Sequence, residues 1–555
     1  MVEPCRTVET DVLVIGGGGA GARAVIEAAK NNVRVTFVSK GPIGKTGLTA
    51  ASGGSYVVLE SPPGEPFEEL FREAVLKGCY LNDQNLLEIW WKESRPTVEE
   101  FKSSGAKVTE NRGGGSYRIT GSEMMSAFKT DITRHPNIRL VQDSIVTKLL
   151  THNGVISGAA SLDLASSEFS LIKAKAVIIA TGGLGGLYWP AEATPLGIDP
   201  GVTGAGHVLA YRAGAELVNM EMIMFSWIPL NPKRVFACRH FENLAAAGSK
   251  GPYCDKDGKT VISSEEIETA PCGMGSPDHY NPYLMRRLAE EMKKGPCYLK
   301  NVAVKPGQRR SHPDVDEVLK LDMSELQMVQ VIPGCLTSLG GPRVNEKCAT
   351  STPGLFAAGE VIGNINGAFR TYMLSQIIVF GKRAGLCAAE YAKKADQIPT
   401  DVDKVMEERE RVYGFLKLKP DGISPVEVKK KIRDLSMKRL YVLRNRDGLM
   451  KAIKEIEQIK KADLPRLQAA DIRKFNLEWL DCIEVPVMLD AAEMIARSAL
   501  FRAESRGCHY REDFPEMDNE NWLCHTLLKE EAGGMTLSKA PVLFTTMPPP
   551  VVENA

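Results

Sequence analysis

The sequence predicts an α/β fold organised around a mostly parallel sheet, and three strand-to-glycine junctions spread along the chain carry that prediction. The first is Asp11-Val12-Leu13-Val14-Ile15 running into Gly16-Gly17-Gly18-Gly19-Ala20-Gly21. The second is Ala176-Val177-Ile178-Ile179-Ala180-Thr181-Gly182-Gly183. The third is Thr352-Pro353-Gly354-Leu355-Phe356-Ala357-Ala358-Gly359-Glu360. Short apolar runs that stop at glycine read as strands buried on both faces. Their alternation with helical patterns reads as βα units.

The first junction has the spacing of a dinucleotide fingerprint, so the sheet is expected to be Rossmann-like. Gly16 permits the tight turn, Gly18 lets backbone approach a pyrophosphate, and Gly21 lets helix and strand pack closely. The helix that follows offers free N–H groups and a positive dipole end to the phosphates. A nicotinamide site expects an acid about 20 residues on, at the end of the second strand. Here the strand expected over 33–38 ends in Ser39-Lys40, with no acid. The third junction instead delivers Glu360, a carboxylate suited to a ribose hydroxyl. Three such sites, far apart in sequence, describe a cofactor held along its length by discontinuous segments, and FAD fits that best.

With 555 residues the chain is too long for one core and should divide into two to four domains. Lys+Arg and Asp+Glu balance at 69 each, which gives no sign of nucleic acid or an anionic membrane surface as partner. No apolar run is long enough to insert in a membrane, and the first residues lack the apolar core of a signal peptide. The expected location is the cytoplasm, with membrane association only through partner subunits. The 12 cysteines are scattered without a CxxC pair, so no metal or iron–sulfur site is expected in this chain, and Cys335, Cys508 and Cys524 read as reduced thiols.

The expected organisation is an FAD-binding domain over 1–224 and 346–395, interrupted by an α+β capping domain over 225–345 that is rich in Pro and Gly. A strand is expected around Gly295-Pro296-Cys297-Tyr298-Leu299. From about 400 to 535 the pattern changes to long charged helices, with apolar residues at three- and four-residue spacing over 429–446 and 449–461. The last segment, 536–555, contains Pro548-Pro549-Pro550 and is expected to be an extended tail.

Taken together, the three junctions, Ala51-Ser52-Gly53-Gly54, Arg212-Ala213-Gly214-Ala215, Asn219-Met220-Glu221-Met222, Val379-Phe380-Gly381 and the run from Glu504 to Pro515 resemble one family. It is that of the flavoprotein subunits of succinate dehydrogenase and fumarate reductase, with L-aspartate oxidase and adenylylsulfate reductase as relatives. The resemblance spans almost the whole chain. It implies FAD contacts from Gly16, Gly18, Gly19, Ala20 and Gly21, from Ser39 and Lys40, and from Thr46, Leu48, Ala51, Ser52, Gly53 and Gly54. It implies further contacts from Val146, Ala180, Thr181, Gly182, Glu360, Arg370, Ser375 and Gln376. It also implies a C-terminal helical domain and a separate iron–sulfur protein subunit that exchanges electrons with the flavin.

The departures from the family are as informative as the matches. Gly47 stands where succinate dehydrogenases bond a histidine to the flavin, so FAD is expected to be non-covalent. The family's two substrate histidines fall on Ser226 and Leu336 here. Arg370 remains, and its planar fork suits a substrate carboxylate. Trp227, Tyr372 and Met373 are expected to make the pocket more apolar. The candidates for proton transfer in the capping domain are Arg239, His240 and Lys250, while His509 and Arg511 read as structural. The expected activity is FAD-dependent oxidoreduction of an organic carboxylate other than succinate or fumarate. An adenylylsulfate-reductase-like protein and an electron-transfer subunit without a substrate of its own are the alternatives.

Overall fold

The computed structural model describes residues 6–51, 55–57, 67–103, 106–110, 116–189, 201–231, 251–270, 281–300, 328–368, 373–531 and 533–549. Its central sheet has seven strands. Arg6–Ile15 lies between Val35–Val38 and Phe169–Ile179, both parallel to it, and Ile138–Val141 extends the sheet beyond Val35–Val38. Residues 12–15, 35–38 and 176–179 are buried without alternation, as expected of strands covered on both faces.

Phe169–Ile179 is used twice along its far edge. Residues 158–162 of the strand Val155–Asp163 pair antiparallel with its first half, and Leu355–Ala357 pairs parallel with its last three residues. The chain therefore leaves the sheet, builds other structure, and returns at residue 355 to finish it. The register is level at the carboxyl ends: Ile15 faces Val38 and Ile179, and Ile179 faces Ala357.

Helices Gly19–Lys30 and Met373–Lys394 pack backbone to backbone on this sheet. A Cβ on Gly381 would lie 2.6 Å from the Ala20 carbonyl oxygen, and one on Gly385 would lie 2.3 Å from that of Ala24. Only glycine at those two positions, one turn apart, allows the helices so close.

The inserted segment forms its own antiparallel sheet of five strands, ordered Ile223–Asn231, Met328–Ser338, Cys297–Lys300, Tyr253–Cys254, Thr260–Ile262. Met224 faces Thr337 while Phe225 faces Cys335, so Leu336 is the extra residue of a bulge.

The C-terminal part contains the helices Val402–Gly414, Pro425–Arg439, Arg446–Ala462 and Leu477–Phe501. Asp401, Ser424, Asn445 and Asn476 cap them, each side chain accepting a backbone N–H. Two features correct the sequence reading. The helix expected over 429–446 stops at Arg439, because Leu443–Arg444 turns out to pair with Tyr510–Arg511. The region is also not purely helical: Cys524–Glu531 and Gly534–Pro541 form a hairpin that pairs with Leu217–Val218. The segment expected as an extended tail over 536–555 begins inside that hairpin, whose second strand runs to Pro541, and residues 550–555 lie outside the described residues. The segment is strapped down by Gln84, whose amide oxygen accepts the N–H groups of Thr546 and Met547 while its nitrogen donates to the Met547 carbonyl. Among the described residues no helix is long and apolar enough to cross a membrane.

A buried charge network joins these parts. Arg502 donates to Glu221 at 2.6 Å and to Glu504 at 2.7 Å, with all three side chains fully buried. Thr526 donates to the other oxygen of Glu221, and Arg506 makes two bonds to Glu504. Arg444 donates to the carbonyls of Tyr441 and Glu221 and to Nδ1 of His509 at 3.0 Å. Arg511 pairs with Asp513 and with the carbonyls that end the helix Leu477–Phe501. His509 and Arg511, which the sequence reading takes as structural, are both held in this network, His509 through Nδ1.

Three histidines are held neutral in this interior. Burial pushes His207 down to about 4 and His525 down to about 3, the latter helped by Arg343 and Arg502. Burial and the surrounding guanidinium groups put His509 well below the ordinary range. His525 and His509 use Nδ1 as acceptor, for Asn219 and Arg444, a role that the imidazolium cannot fill. Folded values below unfolded ones mean that unfolding takes up protons between about pH 6.5 and 4. Stability is therefore full above pH 6.5 and falls below it, by about 1.4 kcal/mol per pH unit for each histidine once fully in its window. Urea midpoints that drop steadily from pH 7 to pH 5 are expected; an unchanged midpoint would contradict this account.

Candidate functional site

The three glycine junctions, remote in sequence, lie side by side because their strands end in register. The crevice at the carboxyl ends of such strands is where doubly wound sheets bind ligands. Gly16 has φ +117°, and a Cβ on it would meet the Ala180 carbonyl oxygen at 2.3 Å; one on Gly21 would meet the Gly16 carbonyl oxygen at 1.9 Å. These two glycines are demanded by packing. Gly18 is different: a Cβ there meets nothing among the described residues nearer than Thr49 Oγ1, at 3.9 Å. It caps the helix Gly19–Lys30 with no side-chain hydrogen bond, so open space and helix-terminal N–H groups meet there. Ala20 backs this turn, packed so tightly that a Cβ on Gly359 would come within 2.8 Å of its own.

Ser39 sits beneath the same loop, its hydroxyl donating to the Gly41 carbonyl. Lys40 reaches the other way, to the Gly201 carbonyl and to the buried Glu484 of the helix Leu477–Phe501. Its charge therefore joins two parts of the chain. Thr46 donates to the Pro42 carbonyl at 3.3 Å, and Leu48 opens the short helix Leu48–Ala51. Thr49 in that helix accepts the Gly19 N–H at 3.1 Å. Sequence reasoning passed over Thr49, since nothing in the pattern separates it from Thr46. Gly47 has φ +79°, and a Cβ there would meet no described atom within 4 Å. Val146 is buried on Ser144–His152, whose first N–H bonds the Ser39 carbonyl.

On the far side of the crevice, Glu360 lies against Gly182 and Gly183 and accepts from Thr337 Oγ1 at 2.7 Å. Ser375 is buried and accepts from Trp90 Nε1 at 3.0 Å. Several buried polar atoms of the region find no partner among the described residues: Thr181 Oγ1, Thr203 Oγ1, Ser338 Oγ and Gln376 Nε2. Buried polar groups are normally paired. Unpaired donors beside an open glycine turn fit a long, oxygen-rich ligand such as FAD. Thr203, Thr337 and Ser338 had no sequence signal; folding alone brings them here.

The neighbouring face is apolar. Leu336, from the bulge, joins Leu81, Met222, Met224, Leu339 and Ala368 in a cluster separate from the main core. Ala368 is held from both sides, its N–H donating to the Gly78 carbonyl and its carbonyl accepting from the Cys508 N–H, each at 3.0 Å. Gly507, at φ +55°, could not carry a Cβ without coming within 2.3 Å of the Ala368 carbonyl oxygen. Trp227 corrects the sequence reading. Two residues from Phe225 on the same strand, it packs with it into the main core and not into this cluster. Burial raises Cys335, and it pushes Cys79 to about 11 and Cys508 to about 12, so these stay inert thiols. Arg239, His240, Lys250, Arg370, Tyr372, Ser52, Gly53 and Gly54 lie outside the described residues. Among the described residues no cluster of His, Cys, Asp and Glu suits a metal ion.

Comparison with known proteins agrees with this geometry. The FAD binding domain family matches residues 11–372, and the fumarate reductase flavoprotein C-terminal family matches residues 429–554. One chain of the CoM/CoB fumarate reductase of Methanothermobacter marburgensis is 30% identical, over 94% of this chain and 97% of its own. The fumarate reductase flavoprotein subunit of Mycobacterium tuberculosis is 28% identical, over 98% and 99%. Among solved structures, the Sdh1 complex of Mycobacterium smegmatis has a chain that superposes with TM-score 0.84 at 26% identity, covering 98% of this chain and 96% of that one. Adenylylsulfate reductase of Archaeoglobus fulgidus reaches 0.80 at 22% identity, with 98% of each chain covered, a likeness of fold alone.

The two kinds of glycine should separate by mutation. Gly18→Ala is expected to leave the circular dichroism spectrum unchanged while weakening flavin binding at least tenfold, about 1.4 kcal/mol. Gly21→Ala should lower both flavin content and the unfolding midpoint, since overpacking costs about 1–3 kcal/mol. Equal behaviour of the two variants would remove Gly18 from the pyrophosphate site.

Proposed function

The chain belongs to the FAD-dependent oxidoreductases of the fumarate reductase and succinate dehydrogenase family, and we propose that it exchanges electrons between an organic carboxylate other than succinate or fumarate and an iron–sulfur partner subunit. The observation that carries the substrate side of this reading is the setting of Leu336, which lies within an apolar cluster where the family has an imidazole. Ser226, at the second such position, is buried on the opposite face of its strand from Phe225 and Trp227. A C4-dicarboxylate would leave one carboxylate short of partners, at about 1–3 kcal/mol for each unpaired buried group.

Hydride chemistry at N5 is what FAD supplies when bound; the chain's own residues bind, orient and exclude water. Gly18 and the N-terminus of Gly19–Lys30 take the pyrophosphate, Glu360 a ribose hydroxyl, and Thr181, Ser375 and Gln376 the flavin side. Arg370 holds the substrate carboxylate and stabilises negative charge that develops on it. The proton donor comes from Arg239, His240 or Lys250. We take 1–224 with 346–395 as the FAD-binding unit, 225–345 as the cap and 400–535 as the C-terminal domain. The absence of any CxxC pair from the sequence supports a separate protein for the clusters, and we place the chain in the cytoplasm.

Two measurements test this. Because Gly47 replaces the attaching histidine, acid precipitation is expected to release all yellow colour to the supernatant; colour left in the pellet would refute non-covalent binding. Arg370→Lys keeps the charge but loses the fork, so turnover of the physiological substrate should fall at least tenfold, about 1.4 kcal/mol, with FAD retained. If Arg370→Lys and Arg370→Ala both turn over at the wild-type rate, the carboxylate site is misplaced. The chain is then better read as an electron-transfer subunit without a substrate of its own.

A further inference from the structure

The helices Gly19–Lys30, Gln84–Ser103 and Gly121–Thr133 converge on a cavity of about 200 Å³ that no residue of the flavin crevice lines. Arg23 and Lys30 reach it from one face of the first helix, and Phe128 and Asp131 from one face of the third. Glu100 and Phe101 come from the last turn of the second. Lys30 closes a helix whose other end lies at the glycine turn, roughly 16 Å away at about 1.5 Å per residue.

Most charges here are paired within the chain. Arg23 is buried and donates to Glu27 at 3.2 Å and to Glu100, while Lys382 donates to the other Glu100 oxygen at 2.5 Å. Burial works to raise Glu100, but Arg23, Lys382 and Lys30 outweigh it, so its carboxylate stays charged. Three groups are left over. Arg23 Nε is buried with no hydrogen-bond partner among the described residues. The Lys30 ammonium makes no ion pair or hydrogen bond with them. Asp131 meets only the His135 ring, at 3.7 Å, which carries charge only when protonated.

An unpaired cation and an unpaired anion that do not neutralise each other call for a ligand with both signs. We propose that this cavity binds a small zwitterion, an α-amino acid with a short apolar side chain. Its carboxylate lies on Lys30, with Arg23 behind it, and its ammonium on Asp131. The last turns of all three helices border the cavity, and helix carboxyl ends favour positive charge. An inorganic anion would face those ends together with Glu100 and Asp131, and a simple amine would face Lys30 and Arg23. Phe101 and Phe128, their rings 5.4 Å apart, supply the apolar part of the wall against which a methyl or isopropyl group rests. At about 30 Å³ per water the space matches six or seven waters, the size class of alanine or valine. The site is separate from the proposed reaction and does not depend on it.

The test is calorimetric titration of the FAD-loaded chain with L-alanine, L-valine, isobutyrate, isobutylamine and inorganic phosphate. L-Valine or L-alanine is expected to bind at one site. Isobutyrate, which lacks the ammonium, and isobutylamine, which lacks the carboxylate, should each bind at least tenfold more weakly than L-valine. Lys30→Met and Asp131→Asn should each weaken the amino acid at least tenfold, with flavin absorbance and the melting of the unliganded chain unchanged, whereas Lys30→Arg should retain it. The comparison of ligands on the wild-type chain needs no variant. If neither amino acid binds, or if isobutyrate, isobutylamine or phosphate binds as tightly as L-valine, the cavity is not a zwitterion site. If Lys30→Met or Asp131→Asn binds the amino acid as the wild type does, the ligand sits elsewhere and the proposal is overturned.

Discussion

The contact between Arg502 and Glu221 is the constraint on which the arrangement of this chain depends. Glu221 stands at the point where the nucleotide-binding segment gives way to the first strand of the inserted sheet, and Arg502 ends the longest helix of the C-terminal part. Both are fully buried. Removing one partner of such a pair leaves an uncompensated charge in the interior, at about 3–5 kcal/mol. The network therefore allows few ways of seating the C-terminal part. Glu504 extends it to Arg506, and Arg506 donates to the Cys79 carbonyl. A chain of charge-assisted bonds thus runs from the inserted sheet to the loop that brackets Ala368.

That seating has consequences at the crevice. Lys40 leaves the second strand to meet Glu484, which also receives Lys429. The cofactor-binding sheet and the C-terminal helices are thereby tied at the edge of the glycine loop itself. The helix Met373–Lys394 can reach the first helix only through the bare backbones of Gly381 and Gly385. Its first turn, with Ser375 and Gln376, is in this way brought to the ends of the parallel strands. Each wall of the crevice is thus anchored by contacts outside it.

The apolar cluster around Leu336 has a different origin. It consists of one or two residues each from the loop at 81, the segments 222–224 and 336–339, the segment at 368 and the tail at 542. None of these positions forms the cluster alone. Five segments are brought together without a polar side chain among the buried members, and the cluster they form is closed to water. Val542 and Phe544 of the C-terminal strap belong to this cluster, which gives the tail a packing role that its composition does not announce.

The glycine junctions were legible in the sequence because their chemistry is local: a turn at positive φ, a close approach of backbone and an apolar strand leave a mark in the residues themselves. FAD, the Rossmann-like sheet and the strand at Cys297–Lys300 followed from such marks and from the family resemblance they carry. The end of the helix at Arg439, the hairpin after Cys524 and the inward turn of Trp227 did not. Each is decided by a partner far along the chain: Tyr510–Arg511 for the first, Leu217–Val218 for the second, the Phe225 face of the core for the third. Thr49, Thr203, Thr337 and Ser338 are ordinary hydroxyls until the strands end level and place them at one crevice. Sequence by itself pointed to the cofactor, since the pyrophosphate turn, a second strand that ends in Ser39-Lys40 without an acid and the Gly359-Glu360 junction are each written in consecutive residues. Only the tertiary structure decided what stands around Leu336, because side chains from separate segments become one surface only once the chain has closed over them.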